Sequence, residues 1–238
     1  MILLCPNRDN SIRAPRTRLG ALFRLCFALG AFWLSPALAT DFERLLAALG
    51  QKIGAGSSQI FYDWKRLIDE GKALSSTDKL RRVNEFINRR IQFGEDTQIW
   101  GQTDYWATPM ETLGKVAGDC EDFTIAKYFT LLNLGIPNEQ LRLVYVKARI
   151  GGPSSTVQQA HMVLAYYPSP NAEPQILDNL ITDIRPASRR TDLQPVFSFN
   201  SQGIWQGAGG SDAQGPGGPG RLSRWAELLQ RARAEGFD

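Results

Sequence analysis

The sequence predicts a domain of the α+β class between residues 40 and 205, followed by a short tail. Two stretches in the first part of this domain, residues 76–93 and 118–137, have the apolar period or the end signals of helices. Three apolar runs with the length and composition of strands follow. These runs cover residues 141–150, 160–167 and 174–180. Helices that are followed by a group of strands indicate the α+β class.

Residues 1–39 have the features of a cleavable secretory signal. Five arginines precede an apolar run of ten residues at 25–34, and Ala37-Leu38-Ala39 provides the small residues that a signal peptidase requires. We expect cleavage before Thr40. Ten apolar residues are too few for a membrane-spanning helix, which needs roughly 20, so the processed protein is predicted to be exported without spanning the membrane.

Cleavage changes the charge and the cysteine content of the chain. The full sequence has 27 basic and 24 acidic residues; residues 1–39 hold five and one of these, which leaves 22 and 23. A chain so close to neutral has no surplus of Lys and Arg to neutralise phosphates, which argues against a nucleic-acid partner. Cys5 and Cys26 are removed, so Cys120 has no internal disulfide partner. In an oxidising compartment, such a cysteine is either buried in the core or used chemically.

The first predicted helix, residues 76–93, is amphipathic. Leu80, Val83, Ile87 and Ile91 fall on one face, and the arginines of this stretch lie largely elsewhere. The helix is expected to pack its apolar face on the core and to expose its basic residues to solvent.

The second predicted helix places Cys120 in its first turn. Asp119 is a suitable N-cap, and Gly135 and Pro137 are stop signals. At the start of a helix, unpaired N–H groups and the helix dipole favour the thiolate, which is the reactive form of cysteine. The position of Cys120 therefore suits a nucleophile.

Three carboxylates crowd the same turn. Asp119, Glu121 and Asp122 flank Cys120, and their charges are expected to raise the pKa of its thiol. A bound calcium ion, which takes carboxylate and carbonyl oxygens as ligands, would cancel this repulsion. Ordinary capping of the helix explains the acids equally well, so their spacing leaves both interpretations open.

His161 and Asp178 lie in two of the predicted strands. Asp178 stands among apolar neighbours, where a buried carboxylate needs a partner such as an imidazolium. The order Cys120, His161, Asp178, with separations of 41 and 17 residues, predicts a nucleophile on a helix with its base and orienting acid on adjacent strands. Taken singly, the two residues also fit a core histidine and an acid in a turn.

These residues resemble the LapG-type bacterial transglutaminase-like cysteine proteases over roughly residues 61–205. Four stretches carry the resemblance: WGQTDYWATP at 100–109, GDCEDF at 118–123, AHMVL at 160–164 and LDN at 177–179. The resemblance implies a transglutaminase-like, papain-like fold, in which the helix that carries the cysteine packs on an antiparallel sheet.

The same resemblance implies a role for each site residue. Cys120 is the nucleophile, His161 is the general base and then the general acid, and Asp178 orients the imidazole. It also implies calcium dependence, with ligands at Asp119 and Glu121. Asp104, in the loop before the catalytic helix, is a weaker candidate ligand.

In biological terms, the resemblance implies a periplasmic endopeptidase that cleaves the N-terminal region of a large repeat adhesin and so promotes biofilm dispersal. Its implied partner is an inner-membrane cyclic-di-GMP receptor of the LapD type, whose periplasmic domain sequesters the protease. Two other functions remain open: a transglutaminase or protein amidase that uses the same triad, and a binding module whose triad is vestigial.

The C-terminal part of the chain changes in composition. Residues 206–220 are rich in Gly and Pro, which predicts a flexible linker. Beyond it, residues 221–238 have the pattern of a short amphipathic helix, with Leu222, Trp225 and Leu228 on one side. The sequence does not decide whether this helix docks on the domain or contacts a partner.

Overall fold

The structure is a computed structural model that describes residues 58–208 and 219–237. The predicted signal, residues 1–39, lies outside the described residues, as do residues 40–57 and most of the predicted linker at 206–220. No helix in the described ranges combines the length and the apolar character that crossing a membrane requires.

Along the described chain, the helices predicted at 76–93 and 118–137 precede the predicted strands, and further helices and strands that were not predicted accompany them. The helices are α1 (Ser58–Gly71), α2 (Ser76–Arg90), α3 (Asp96–Ile99), α4 (Pro109–Lys115), α5 (Cys120–Asn133) and α6 (Pro219–Glu235). The strands are β1 (Gln92–Phe93), β2 (Ala117–Gly118), β3 (Leu141–Arg149), β4 (Gln158–Tyr166), β5 (Gln175–Leu177), β6 (Arg185–Pro186), β7 (Leu193–Phe199) and β8 (Ile204–Gln206).

Six of the strands form one antiparallel sheet in the order β6-β5-β4-β3-β7-β8. The long central strands β3 and β4 pair with Val146 opposite His161. Strands β1 and β2 form a separate parallel pair. The predicted α+β class and the antiparallel sheet are confirmed, and the predicted strands at 141–150 and 160–167 match β3 and β4 within two residues.

The catalytic helix predicted from the sequence, α5, lies at the centre of the molecule. All of its residues from 122 to 131 are buried. The main core joins this helix to α1, to α2 and to one face of the sheet, with Phe61, Ile87 and Leu164 among its members. Because close-packed side chains surround α5 along this length, its first turn is held in a fixed place relative to the sheet.

Gly118, immediately before the helix N-cap, is fixed by a close contact. Its carbonyl accepts a hydrogen bond from the N–H of Gly94, at 3.0 Å. A Cβ atom built on residue 118 would lie only 2.6 Å from the Cβ of Asp122. The backbone at Gly118 can therefore approach Asp122 only because residue 118 has no side chain.

The C-terminal helix α6 docks on the domain. Trp225 is buried and its Nε1–H donates to the carbonyl oxygen of Asn200, at 3.1 Å. Phe237, just beyond the helix, packs edge-on against Trp64 and Phe129, with ring centroids 5.9 and 5.4 Å apart. The described part of the tail is therefore integrated into the core of the domain.

Candidate active site

Cys120 is the first residue of α5, and the residues around it join the helix to the sheet. The Asp119 carboxylate caps the helix by accepting from the N–H groups of Glu121 and Asp122, at 3.2 and 3.5 Å. The Thr124 hydroxyl donates to the carbonyl oxygens of Cys120 and Met162, at 2.8 and 3.0 Å. Since Met162 follows His161 in β4, this shared hydroxyl ties the turn of Cys120 to the strand that carries the predicted base.

His161 and Asp178 form a buried hydrogen-bonded pair. The distance between Nε2 of His161 and Oδ1 of Asp178 is 2.8 Å, and the two residues are 4% and 1% exposed. An ionised carboxylate accepts hydrogen bonds only, so Nε2 carries the proton and Nδ1 is left with a free lone pair. The imidazole is therefore held in the tautomer that can act as a base through Nδ1.

Arg190 completes the surroundings of Asp178. Its Nη2 donates to Oδ2 of Asp178 at 2.6 Å, and the N–H of Leu180 donates to Oδ1 at 3.0 Å. Burial alone would raise the pKa of this carboxyl, but the hydrogen bond from His161, followed by those from Leu180 and Arg190, holds its pKa well below the usual range. Asp178 is thus an ionised, fully bonded carboxylate at neutral pH.

Asn88 supports the same residue from α2. Its Nδ2 donates to the main-chain carbonyl of Asp178, at 2.7 Å. Neither Asn88 nor Arg190 was predicted as part of the site. No sequence signal distinguishes them from the solvated polar residues beside them, because their roles depend on contacts with a residue far away in the chain.

The thiol of Cys120 lies in a negative environment. It donates to the carboxylate of Glu121 at 2.7 Å. Burial, followed by the charges of Glu121 and Asp119, raises the pKa of the thiol well above its usual range, and a hydrogen bond with the main chain of Met162 opposes this only partly. Without a compensating positive charge, Cys120 is therefore a thiol and not a thiolate.

Three further carboxylates meet beside this thiol, and we call them the acid cluster: Asp96, Asp119 and Asp122. Each offers an oxygen within 4.8 Å of those of the other two. Asp122 is fully buried and Asp96 is 5% exposed. Burial, followed by the negative charges of Glu121 and neighbouring acids, raises the pKa of Asp119 to about 9 and also raises the pKa values of Asp96 and Asp122.

One oxygen of each buried acid has no protein partner. The N–H of Tyr105 donates to Oδ2 of Asp96 at 2.5 Å, and the N–H of Ala107 donates to Oδ1 of Asp122 at 2.8 Å. The remaining oxygens, Oδ1 of Asp96 and Oδ2 of Asp122, accept no hydrogen bond from the described residues. Three carboxylates that each offer an oxygen within 4.8 Å of the others, two of them with a buried oxygen that lacks a donor, suit a hard divalent cation such as calcium.

Of the three calcium ligands predicted from the sequence, two lie at or beside this cluster and one does not. Asp119 belongs to the acid cluster, and the carboxylate of Glu121 lies within 4.8 Å of that of Asp119. Asp104 instead forms an ion pair with Arg224 and accepts from Nε1 of Trp106. Asp96 was not anticipated, because nothing in its local sequence links it to a helix that starts 24 residues later.

Comparisons with known proteins identify a matching family and several similar structures. Residues 68–199 match the model of a family described as bacterial transglutaminase-like cysteine proteinase. A structure of LapG from Legionella pneumophila is 38% identical, with a TM-score of 0.65, and the match covers 80% of this chain and 97% of that one.

Two further structures of LapG from Legionella pneumophila also match this chain, one calcium-bound and one EGTA-treated. The calcium-bound one is 38% identical over 80% of this chain and 98% of that chain, with a TM-score of 0.66. The EGTA-treated one is 37% identical over 80% and 97%, also with a TM-score of 0.66. A search of curated proteins gives no significant match.

Proposed function

Because this chain belongs to the bacterial transglutaminase-like cysteine proteinases, we propose that it is a calcium-dependent cysteine endopeptidase. The observation that carries the proposal is the buried hydrogen-bonded pair of His161, in β4, and Asp178, immediately after β5. Strand β4 packs against the helix that begins at Cys120. The assigned roles are nucleophile for Cys120, base and acid for His161, and orienting group for Asp178.

The chemistry is acyl transfer in two stages. Nδ1 of His161 takes the thiol proton while Sγ of Cys120 attacks the peptide carbonyl carbon, and the carbonyl electrons move to oxygen. When this intermediate collapses, the C–N bond breaks and the amine leaves with the proton from His161. Water, deprotonated by His161, then attacks the thioester, which releases the new carboxyl end and restores the thiol.

The start of α5 assists this reaction through its main chain. The N–H of Cys120 has no carbonyl partner within the helix, because the first N–H groups of any helix lie beyond its hydrogen-bond ladder. Such a donor, together with the positive end of the helix dipole, stabilises negative charge on the attacked oxygen. Asp178 in turn stabilises the imidazolium that forms when His161 holds the proton.

Calcium dependence rests on the acid cluster. Asp96, Asp119 and Asp122, with Glu121 beside them, are the residues that would hold the ion, and the two unpartnered oxygens fit its preference for oxygen ligands. When bound, calcium supplies the positive charge that offsets the repulsion among these carboxylates. The calcium-bound and EGTA-treated LapG structures support the assignment.

The proposed substrate is a peptide bond in the N-terminal region of a large repeat adhesin at the cell surface. Cleavage releases the adhesin and promotes biofilm dispersal. The proposed site of action is the periplasm, reached through the signal at residues 1–39, and the proposed regulator is the periplasmic domain of a LapD-type cyclic-di-GMP receptor. The LapG-type sequence motifs and the similarity to LapG support this setting.

The test is cleavage of an adhesin fragment. Purified protein that lacks residues 1–39 is incubated with an N-terminal adhesin fragment from the same cell, in calcium or in EGTA, alongside a Cys120→Ala variant. We expect two product bands with calcium only, and none with the variant. Cleavage by Cys120→Ala would refute the assigned nucleophile, and equal cleavage in EGTA would refute calcium dependence.

A transglutaminase or amidase remains the alternative, because the same Cys-His-Asp geometry produces the same thioester. The two are separated by the fate of that thioester. Incorporation of a fluorescent amine into a glutamine-containing protein, without cleavage of the adhesin fragment, would favour the alternative over the endopeptidase.

A further inference from the structure

Residues 105–107 connect the acid cluster to the C-terminal helix α6. On the inner side of this segment, the N–H groups of Tyr105 and Ala107 donate to Asp96 and Asp122, at 2.5 and 2.8 Å. Each of these bonds occupies one oxygen of its carboxylate, and the other oxygen is the one without a partner in the described structure. The position of this short segment therefore decides where the two free oxygens point.

On its outer side, the segment is held by Arg231 of α6. Nη2 of Arg231 donates to the carbonyl oxygen of Trp106 at 2.6 Å, and Nη1 donates to the hydroxyl of Tyr105 at 2.8 Å. The guanidinium also lies over the Tyr105 ring, 4.8 Å from its centroid. Arg231 is anchored in turn by Glu111, whose Oε2 is 2.7 Å from Nη1. A planar group with several donors thus fixes both the main chain and the side chain of the segment.

We propose that Arg231 is a positioning residue for the divalent cation that binds at the acid cluster. It holds residues 105–107 so that their N–H groups turn the inner oxygens of Asp96 and Asp122 towards a common centre. The proposal builds on the calcium dependence proposed above and adds α6, which contributes none of the cluster carboxylates, to the cation site.

The physical reason is the geometry that a bound cation demands. Calcium binds at about 2.3–2.6 Å from its oxygen ligands, so a carboxylate that rotates freely binds it more weakly than one that is held. Groups that orient metal ligands by hydrogen bonds typically change metal affinity about 10- to 100-fold when they are removed. We expect the same range for Arg231, although it acts through the peptide groups of residues 105–107.

The experiment compares Arg231→Gln with Arg233→Gln. Arg233 lies on the same helix two residues further on and is exposed, so the same substitution there controls for the loss of one positive charge from α6. Calcium is titrated by calorimetry into each purified, folded protein after EGTA treatment and desalting. The melting temperature of each protein is measured with and without saturating calcium.

We expect the calcium Kd of Arg231→Gln to rise about 10- to 100-fold, and its calcium-dependent increase in melting temperature to shrink, while Arg233→Gln behaves as wild type. If Arg231 only stabilises the docking of α6, the melting temperature falls equally with and without calcium and Kd is unchanged, which overturns the proposal. Absence of calcium binding in the wild type overturns both this proposal and calcium dependence, whereas normal binding in Arg231→Gln overturns this proposal alone.

Tyr105→Phe is the second variant, for the case in which Arg231→Gln does not fold. It removes only the hydroxyl that Arg231 and Glu111 contact, and it leaves the main-chain N–H to Asp96 in place. A rise in the calcium Kd of folded Tyr105→Phe over that of the wild type supports the proposal, and we expect it to fall at or below the low end of the range of about 10- to 100-fold. A wild-type Kd in a folded Tyr105→Phe protein overturns it.

Discussion

The candidate site contains a single buried carboxylate, Asp178, and the acid cluster, and the partners of these carboxylates differ. Asp178 meets a guanidinium, an imidazole N–H and a main-chain N–H, and its pKa is held low. The acid cluster receives only main-chain donors from the described residues, and the pKa values of all its members are raised.

For Asp178 the chain itself supplies the compensating positive charge, whereas for the acid cluster a compensating charge has to come from solution. Arg190 supplies a permanent positive charge to Asp178, so the His161–Asp178 pair is set up in any ionic environment. The acid cluster has no such charge, and burying uncompensated carboxylates is costly. A site of this kind is stable with its groups protonated or with a cation bound, which fits the calcium dependence proposed above.

The largest expected effect comes from breaking the triad. Asp178→Asn cannot orient His161 with Nε2 protonated, so we expect kcat/KM for the adhesin fragment to fall about 10⁴-fold. The acid cluster is a separate set of residues, and calcium Kd should stay unchanged. Kinetics and calorimetry on the same preparation check both outcomes, and a parallel loss of calcium binding would contradict the separation of the two sites.

Next in size is the loss of the charge that compensates Asp178. Arg190→Met leaves a buried carboxylate without its guanidinium partner, and we expect unfolding to become easier by about 3–5 kcal/mol. Arg185→Met is the matched control, because Arg185 pairs with Asp183 at the surface; exposed pairs contribute about 0–1 kcal/mol. Urea denaturation of both variants measures the difference, and similar midpoints would contradict a special role for Arg190.

A smaller effect is expected at the acid cluster. Asp122→Asn removes one ligand carboxylate, and we expect calcium Kd to rise by about 100-fold or more, which is roughly 2.7 kcal/mol of lost binding. Without calcium, the variant should be about as stable as the wild type, since the raised pKa of Asp122 already favours its neutral form. Asp183→Asn, an exposed acid, is the control. Wild-type calcium affinity in Asp122→Asn would remove this residue from the ligand set.

The last prediction concerns Lys127, a buried residue of α5. Burial lowers its pKa to about 7, although the charge of Asp178 opposes the shift. Between this value and the ordinary 10.5, the unfolded chain binds more protons than the folded one, so the wild type gains stability as pH rises. Lys127→Met lacks this gain. The difference by which its free energy of unfolding exceeds that of the wild type should be largest at pH 7 and below and should shrink towards pH 10.

Urea denaturation at pH 7 and at pH 9.5 measures this slope for wild type and variant. A constant difference between the two proteins would show that Lys127 keeps the same charge in the folded and unfolded states over this range.

The sequence predicted the parts of the site that have chemical signatures. Cys120 stood out because of its helix-start signals, and Asp178 because it is an acid among apolar residues. Asp122 was recognised as a crowding charge but not as a member of the acid cluster. Asp96 approaches Asp119 and Asp122 because of the path of residues 94–118, and local sequence patterns do not predict this path.

Main-chain donors escaped prediction for a different reason. The N–H groups of Tyr105 and Ala107 belong to peptide units that every residue other than proline possesses, so residue type gives no sign of their role. Arg190 was missed because it acts over 12 residues of separation within an ordinary polar stretch. The fold class was easier to predict, since it depends on apolar periodicity, which is spread over many residues.

Phe237 has a consequence for the order in which the protein matures. It is 1% exposed and packs against Phe129 and against Trp64, which lies near the start of the described chain. Synthesis proceeds from the N-terminus, so the ribosome emits residues 58–208 well before the residue that closes their core. The nascent chain therefore reaches this packing only after residue 237 has emerged, and we expect activity to appear only after that point.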